Sequence, residues 1–193
     1  CTATPANLTF LQAAPGTGSG TSIAVNGINI GAASATRRLI IGIGYSNNYT
    51  TLDLTGLTVN GVATTRVVRS PTTSDDFAEI RISQPIPSGT TANLAFTWNN
   101  TVLNWGYSVW SVTDLSSATA VDTATSIADP AILDSNFTAG SIGVGMTYTH
   151  TTGSNAATPT TWTGITERYE SVVMQWRNLS VADFEATAAQ SPR

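Results

Sequence analysis

The sequence predicts an all-β fold: a two-sheet antiparallel sandwich of the jelly-roll type, formed by one domain over residues 1–193 that ends in a tail at 188–193. Three observations predict it. Turn-forming residues recur at short intervals, apolar residues alternate with small or polar ones as in a strand, and no segment sustains the period of a helix. Many short strands at such spacing favour a sandwich over alternating strands and helices.

The composition agrees with a single β domain on an exposed surface. The chain has 193 residues, enough for one sizeable core, and only 10% of them are charged, against about a quarter in an average globular protein. Thr, Ser, Ala, Asn and Gly replace the charges, and they are poor material for long surface helices. Surfaces solvated by hydroxyl and amide groups are common in extracellular and virion β proteins, so we expect an extracellular, virion or cell-surface location.

The predicted strands follow one another from the N-terminus and are separated by polar turns. Two turns are Asn-Gly pairs, Asn26-Gly27 within residues 23–30 and Asn60-Gly61 within residues 57–63, and each predicts a β-hairpin because both residues accept the positive φ of a type I′ turn. Short helical turns at 180–186 or 126–133 are minor alternatives. The other predicted strands are Leu8–Gln12, Leu39–Tyr45, Thr64–Arg69, Ala78–Ser83, Ala92–Trp98, Trp105–Thr113, Ser141–Thr149 and Val172–Arg177.

Three of these strands alternate large and very small side chains. They contain LIIGIGY at 39–45, LNWGYSV at 103–109 and IGVGMTY at 142–148, so each has one large apolar face and one nearly bare face. Aliphatic and aromatic side chains share the large face, which we therefore expect to be core rather than a platform for sugars. Trp110 breaks the alternation and is the better candidate for an exposed aromatic. The residues predicted to point inward are Leu39, Ile41, Ile43, Trp105, Tyr107, Ile142, Val144 and Met146.

The bare face of these strands has two interpretations. Glycine inside a strand often marks the close approach of another backbone or of a ligand. Loops or a partner subunit could fill the trough, which is the interpretation that we favour. Alternatively, the trough along Gly42, Gly106 and Gly143 is a ligand groove.

Residues that carry most hydrolytic and redox chemistry are scarce. The chain has one histidine, His150, one cysteine, Cys1, and no Gly-x-Ser-x-Gly nucleophile motif, and Glu79 and Arg81 alternate as in a surface charge pair. We expect no enzymatic activity, no metal centre of the zinc type and no cofactor. Calcium stays open because it needs clustered oxygen ligands. The candidates for calcium are Asp75, Asp76, Asp129, Asp134 and Asn136.

Charge and hydropathy limit the partners. The formal net charge is -4, and all eight basic residues are arginine, so few groups can neutralise phosphates and we expect no nucleic-acid partner. No apolar run reaches the length of a membrane span. Cys1 leaves two alternatives open: a lipidated first residue, as in bacterial lipoproteins, or an arbitrary start of the chain.

Two polar loops are candidates for ligand binding. If residues 39–45 and 141–149 flank the antiparallel strand 105–113 in one sheet, the loops that follow the two outer strands emerge at one edge. The loops carry amides, an aromatic ring and the histidine, with a tryptophan just beyond, and such groups suit sugar hydroxyls and ring faces. The alternative is that they are ordinary solvated loop tips. The candidate residues are Asn47, Asn48, Tyr49, His150, Asn155 and Trp162.

Three stretches carry a resemblance to a known group of proteins. They are RRLIIGIGYSNN at 37–48, LTGLTVNGVATTRVV at 54–68 and GYSVWSVTDLSSATAVDTATS at 106–126. Together they resemble β-sandwich domains of tailed-phage and gene-transfer-agent particles and related bacterial surface proteins. The resemblance covers residues 35–185 and rests on strand and turn residues, so no ligand residue is carried over from it.

The resemblance implies a jelly roll and an external location. It favours a structural or host-attachment component of a particle, such as a head fibre, spike or decoration protein, assembled as a homo-oligomer and binding a surface glycan. Two alternatives stay open: a carbohydrate-binding module or lectin of a secreted protein, and a subunit of a bacterial surface filament or lipid-anchored surface protein.

Overall fold

Antiparallel strands form most of the chain that the structure describes. The computed structural model describes residues 6–47, 51–71, 76–126, 139–150, 160–174 and 177–186, and no helix occurs among them. The predicted all-β antiparallel fold is confirmed. The strands are β1 (Asn7–Pro15), β2 (Gly20–Asn29), β3 (Arg38–Ser46), β4 (Leu54–Val59), β5 (Val62–Ala63), β6 (Thr65–Arg69), β7 (Asp76–Ile82), β8 (Thr91–Val102), β9 (Asn104–Thr113), β10 (Ile142–His150), β11 (Thr166–Met174) and β12 (Arg177–Glu185).

The first nine strands form a jelly roll. The first sheet has the order β1-β9-β3-β7-β6 and the second has the order β2-β8-β4-β5. Their pairings are nested, because β1 pairs with β9, β2 with β8, β3 with β7 and β4 with β5. A chain paired in this way is one long hairpin rolled into two facing sheets, which is the jelly-roll topology.

The core of the jelly roll lies between the first two sheets. The large faces of β3 and β9 both point into it, as predicted, and Leu39, Ile43, Trp105 and Tyr107 are each no more than 6% exposed. Six aromatic rings form a connected cluster there, with Phe96 on the second sheet and Trp105 on the first at a centroid distance of 5.1 Å. Opposing faces of two β-sheets thus supply a continuous apolar layer.

A third sheet covers the outer face of the first and was not predicted. It has the order β10-β12-β11, so the expected pairing of β10 beside β9 is wrong: the neighbours of β9 are β1 and β3. Ile142, Val144 and Met146 do point inward, but into a second core between the first and third sheets. Residues 179–185 belong to β12, so the helical turn considered at 180–186 is a strand instead.

The bare face of β3 and β9 is where the third sheet packs. A β-carbon at Gly42 would lie 3.1 Å from Met146 Sδ, and one at Gly106 would lie 2.9 Å from Leu179 Cδ2. The trough is therefore filled by this chain itself and is not a ligand groove. Gly143 lies on the opposite face of the third sheet, where the ring of Phe184 takes the space.

Trp110 points away from the jelly-roll core, but it is not exposed. Its side chain is fully buried under the third sheet, and its Nε1 donates to Asp183 Oδ2 at 2.7 Å. Asp183 in turn forms an ion pair with Arg168 at 2.8 Å. Trp110 thus faces away from the first core and fills space in the second core. The prediction of an exposed aromatic is wrong.

The two Asn-Gly pairs have different structures. Asn60-Gly61 forms the predicted hairpin between β4 and β5, with φ values of 51° and 81°. Asn26-Gly27 does not form a hairpin, because Val25 pairs with Leu94 and Ile28 pairs with Ala92, so β2 continues along β8 through a bulge. The pairing partner on β8, rather than the turn residues alone, decides between the two outcomes.

Glu79 and Arg81 are buried, which corrects the prediction of a surface charge pair. Both point into the jelly roll, with Glu79 only 1% exposed and Arg81 6% exposed, while Ile80 and Ile82 face the second core. The orientation of β7 is the reverse of the expected one, because its apolar side packs against the third sheet. The charged side packs at the margin of the first core and is neutralised there.

Burial of the Tyr148 side chain makes the free energy of unfolding fall at alkaline pH. Desolvation raises the pKa of Tyr148 well above the ordinary 10.0. A raised pKa in the folded state gives stability that is fully present below pH 10.0 and is lost as pH rises, since the unfolded chain gives up its proton first. Between about pH 10 and pH 11, we expect Tyr148→Phe to lose about 1 kcal/mol less unfolding free energy than wild type. Urea titrations at both pH values measure this, and equal losses in the two proteins would contradict it.

Candidate binding site at one end of the jelly roll

Several strand ends meet at one end of the molecule, which we call the loop end. Ser46 at the end of β3 pairs with Asp76 at the start of β7 and with Asn104 at the start of β9. His150 at the end of β10 pairs with Arg177 at the start of β12. The Tyr148 hydroxyl lies 3.5 Å from Ser46 Oγ, so β3 and β10 end side by side. The expected proximity of these two strand ends is observed, although it comes from packing between sheets rather than from pairing in one sheet.

Charged and amide side chains connect the sheets at the loop end. Arg177 Nε donates to Asp76 Oδ1 at 2.6 Å, and both side chains are largely buried. With its amide oxygen turned toward Arg177, Asn104 accepts from Nη1 at 3.1 Å. Arg177 therefore joins the third sheet to two strands of the first and fixes the orientation of the Asn104 amide.

An open cleft of about 530 Å³ lies at the loop end. One wall is the loop between β1 and β2, the other is the turn between β8 and β9, and β11 closes the side. This volume lies within the range of about 300–1,000 Å³ typical of small-ligand sites. The lining residues are Gly16, Gly18, Ser19, Leu103, Asn104, Trp105 and Val173.

The glycine-rich loop is held against Trp105 by two hydrogen bonds. Gly16 N donates to Trp105 O at 2.7 Å, and Trp105 Nε1 donates to Gly18 O at 3.2 Å. A β-carbon at Gly16 would lie 2.0 Å from the indole, so only glycine lets the loop come this close. The cleft wall is therefore fixed before any ligand arrives, which lowers the entropic cost of binding.

The chemistry of the cleft is mixed polar and apolar. Ser19 is exposed and offers a hydroxyl, and Asn104 offers an amide of fixed orientation. Leu103 is 37% exposed, and Val173 adds an aliphatic surface beside it. Hydroxyl, amide and main-chain groups next to an aliphatic surface can bind a molecule that has both hydroxyls and apolar C–H faces.

The structure places the predicted ligand residues in different environments. Asn47 is fully buried, and its Nδ2 donates to Thr101 O at 3.1 Å, so it supports the structure of the loop end. His150 is exposed at the loop end but is not among the residues that line the cleft. Asn48, Tyr49 and Asn155 lie outside the described residues.

Trp162 lies apart from the loop-end cleft. It is half-buried on the outer face of the third sheet, where its Nε1 donates to Ser180 Oγ at 2.7 Å. A β-carbon at Gly145 would lie 3.1 Å from its ring. His150 is five residues beyond Gly145 on β10, about 16 Å along the strand. The structure thus does not bring Trp162 and His150 together.

Sequence reasoning missed the residues that line the cleft. The turn-forming stretch PGTGSGTS at 15–22 predicts only a loop, and Leu103 and Asn104 only extend the alternation of the strand that follows them. A glycine-rich loop gives no signal of its partner, because the contact of Gly16 with Trp105 depends on the pairing of β1 with β9. The alternation placed Leu103 on the apolar face with Trp105 and Tyr107, whereas Leu103 is 37% exposed, so it gave no signal of the cleft either.

The calcium candidates are mostly outside the part of the chain that the structure describes. Asp75, Asp129, Asp134 and Asn136 all fall there, and Asp76 is paired with Arg177. Across residues 6–47, 51–71, 76–126, 139–150, 160–174 and 177–186, no three His, Cys, Asp or Glu side chains converge on a point that could hold a metal ion.

Within those same ranges, no helix is long and apolar enough to cross a membrane. Comparison of the chain with protein-family models, with curated proteins and with solved structures finds no match.

Proposed function

We propose that the chain is a non-enzymatic structural or host-attachment component of a phage-like particle, and that it binds a surface glycan in the loop-end cleft. The cleft itself carries the proposal. A preformed depression of about 530 Å³, lined by Ser19, Asn104 and main-chain groups beside Leu103 and Val173, suits one or two sugar rings better than a charged metabolite.

The electrostatics of the cleft support a neutral, hydroxylated ligand. None of the residues that line it is charged. Arg177 contacts the lining residue Asn104, and its charge is already paired with Asp76. A neutral glycan loses less hydration on entering such a site than an ion does.

Structural roles for the buried carboxylates support a non-enzymatic protein. Glu79 binds two arginines and Tyr45, and Asp183 binds Arg168 and Trp110. Each of these carboxylates holds strands together. The 10% charged composition agrees with a surface exposed outside cells.

The resemblance to particle proteins favours a homo-oligomer, since particles are assembled from repeated copies. A lectin would instead bind glycan as an isolated monomer. A filament subunit would form open polymers, and a lipid-anchored protein would carry an acyl mass on Cys1. Sedimentation together with the intact mass of the native protein distinguishes these alternatives.

Blocking the cleft tests glycan binding. Ser19 is exposed on the wall of the cleft, so Ser19→Tyr fills the space without disturbing the core. We expect this change to weaken binding to immobilised bacterial surface polysaccharides by about tenfold or more, equal to about 1.4 kcal/mol. Surface plasmon resonance over a polysaccharide panel measures the change.

A matched variant controls for the added ring. Ser116 is also exposed and follows β9 at its other end, away from the loop end. Ser116→Tyr should bind as wild type does, and both variants should keep the wild-type melting temperature. Equal binding by folded Ser19→Tyr and Ser116→Tyr proteins would exclude the cleft as the glycan site.

A further inference from the structure

Both Asn-Gly pairs of the chain contact the same residue, Asn93, in β8, an inner strand of the second sheet. β8 lies between β2, which carries Asn26-Gly27 in its bulge, and β4, which ends at the Asn60-Gly61 turn. Asn93 is on the solvent-exposed face of β8. Its contacts with the two pairs differ in kind, one through its side chain and the other through its main chain.

Asn-Gly pairs undergo an intramolecular reaction that damages proteins. The main-chain nitrogen of glycine attacks the side-chain carbonyl carbon of asparagine. A new C–N bond closes a five-membered succinimide, and the amide C–N bond breaks. The nitrogen loses its proton, and the side-chain amide leaves as ammonia. Water then opens the ring to aspartate or isoaspartate. Glycine is the most permissive second residue because it has no Cβ to shield its nitrogen or restrict φ.

At the bulge, the Asn93 side chain accepts a hydrogen bond from the nitrogen that would attack, the main-chain nitrogen of Gly27. Gly27 N donates to Asn93 Oδ1 at 2.9 Å. The reaction needs that nitrogen to lose its proton and turn toward the Asn26 side chain, so the hydrogen bond has to break first. The bond is exposed to solvent, and substitution of Asn93 removes its acceptor, whereas its donor is the main-chain nitrogen of Gly27 on β2.

At the turn, the Asn93 main chain holds the group that would be attacked. Asn93 N donates to Asn60 Oδ1 at 2.8 Å, and Asn60 N donates to Asn93 O at 2.8 Å. The side-chain carbonyl of Asn60 is thereby fixed toward β8. Because both bonds use the main chain of Asn93, a change of its side chain leaves them in place.

We propose that Asn93 protects both Asn-Gly pairs from succinimide formation, through its side chain at Gly27 and through its main chain at Asn60. Asn26 is therefore the modification site that opens when the Asn93 side chain is lost. Conversion to isoaspartate would add a negative charge and an extra main-chain carbon to β2, which is an edge strand of the second sheet. This protection is independent of glycan binding.

Site-resolved deamidation measurements test the proposal in the intact folded protein. Wild type, Asn93→Ala and Asn93→Asp are incubated at mildly alkaline pH, and peptide mapping by mass spectrometry follows Asn26 and Asn60 separately. We expect Asn93→Ala to accelerate deamidation at Asn26 about fivefold, the factor that corresponds to one lost hydrogen bond. Asn93→Asp keeps an acceptor oxygen, so its Asn26 rate should stay near that of wild type.

Asn60 is the internal control within the same molecules. Its rate should be the same in all three proteins, because its contacts use only the main chain. An unchanged Asn26 rate in Asn93→Ala would overturn the proposal. Equal acceleration at Asn26 and Asn60 would also overturn it, because general loosening of the second sheet would then explain the result.

Discussion

Replacing Glu79 by glutamine should lower the free energy of unfolding by about 3–5 kcal/mol, the range found when one partner of a buried ion pair is removed. The Glu79 side chain is fully buried, and Arg66 and Arg81 both pair with it. Glutamine keeps the shape and one carbonyl oxygen but not the negative charge. The two guanidinium groups would then face each other without a counter-ion between them.

The network around Glu79 also closes the open side of the jelly roll. Arg66 extends to Asp53 at 2.7 Å, and Arg69 lies 3.5 Å from the same carboxylate. The arginines also donate to main-chain carbonyls next to and within β4: Arg66 and Arg81 to Leu54 O, and Arg69 to Leu52 O. Guanidinium groups thus take the place of a neighbouring strand along this part of β4, and Glu79 holds two of them in position.

A surface carboxylate provides the control for this prediction. Glu167 is exposed on β11, and Glu167→Gln should change the free energy of unfolding by no more than about 0.5 kcal/mol. Urea titrations of the two variants and wild type give the comparison. A Glu79→Gln protein as stable as Glu167→Gln would show that the buried charges do not depend on one another.

The large-small alternation predicted three strands and the core side of each. Leu39, Ile41 and Ile43 on β3 and Trp105 and Tyr107 on β9 are all buried as expected. Alternation is informative here because one face of each strand packs against an apolar layer regardless of the neighbouring strand. Order within a sheet is a different matter, since it depends on pairings between residues distant in sequence.

The third sheet could not be predicted from alternation, because the face that receives it carries glycine. A row of Gly42, Gly44 and Gly106 resembles an exposed face, yet it is bare because Met146, Tyr148 and Leu179 need the space. The missing side chains are supplied by the other sheet. The same reason places Ile80 and Ile82 against the third sheet and turns Glu79, which the alternation predicted to be exposed, into the first core.

The candidate site was predicted only in part. The prediction that the ends of β3 and β10 meet is correct, and His150 lies there. The cleft beside them depends on how the β1–β2 loop folds onto Trp105, which local sequence does not encode. Asn47 looked like a ligand residue because loop amides often bind ligands, whereas here its amide satisfies Thr101 O.

Adding one methyl group at Gly44 should separate the third sheet from the jelly roll. A β-carbon there would lie 2.3 Å from Tyr148 Cδ2 and 3.0 Å from Tyr148 Cβ. The ring cannot swing aside to relieve the clash, since its own Cβ is also too close, so β10 has to move away from β3. Gly44→Ala should therefore lower the free energy of unfolding by about 1–3 kcal/mol, the usual cost of overpacking a core.

Gly56 provides a matched glycine-to-alanine control on β4. A β-carbon at Gly56 would lie 3.6 Å from Thr97 Cβ, an ordinary contact, so Gly56→Ala should change stability by less than about 1 kcal/mol. Hydrogen exchange locates the effect: in Gly44→Ala, amides of β10 and β12 should exchange faster while those of β8 keep their protection. If Gly44→Ala is as stable as Gly56→Ala, or if exchange rises equally in all three sheets, the close packing of Tyr148 on Gly44 does not hold the third sheet in place.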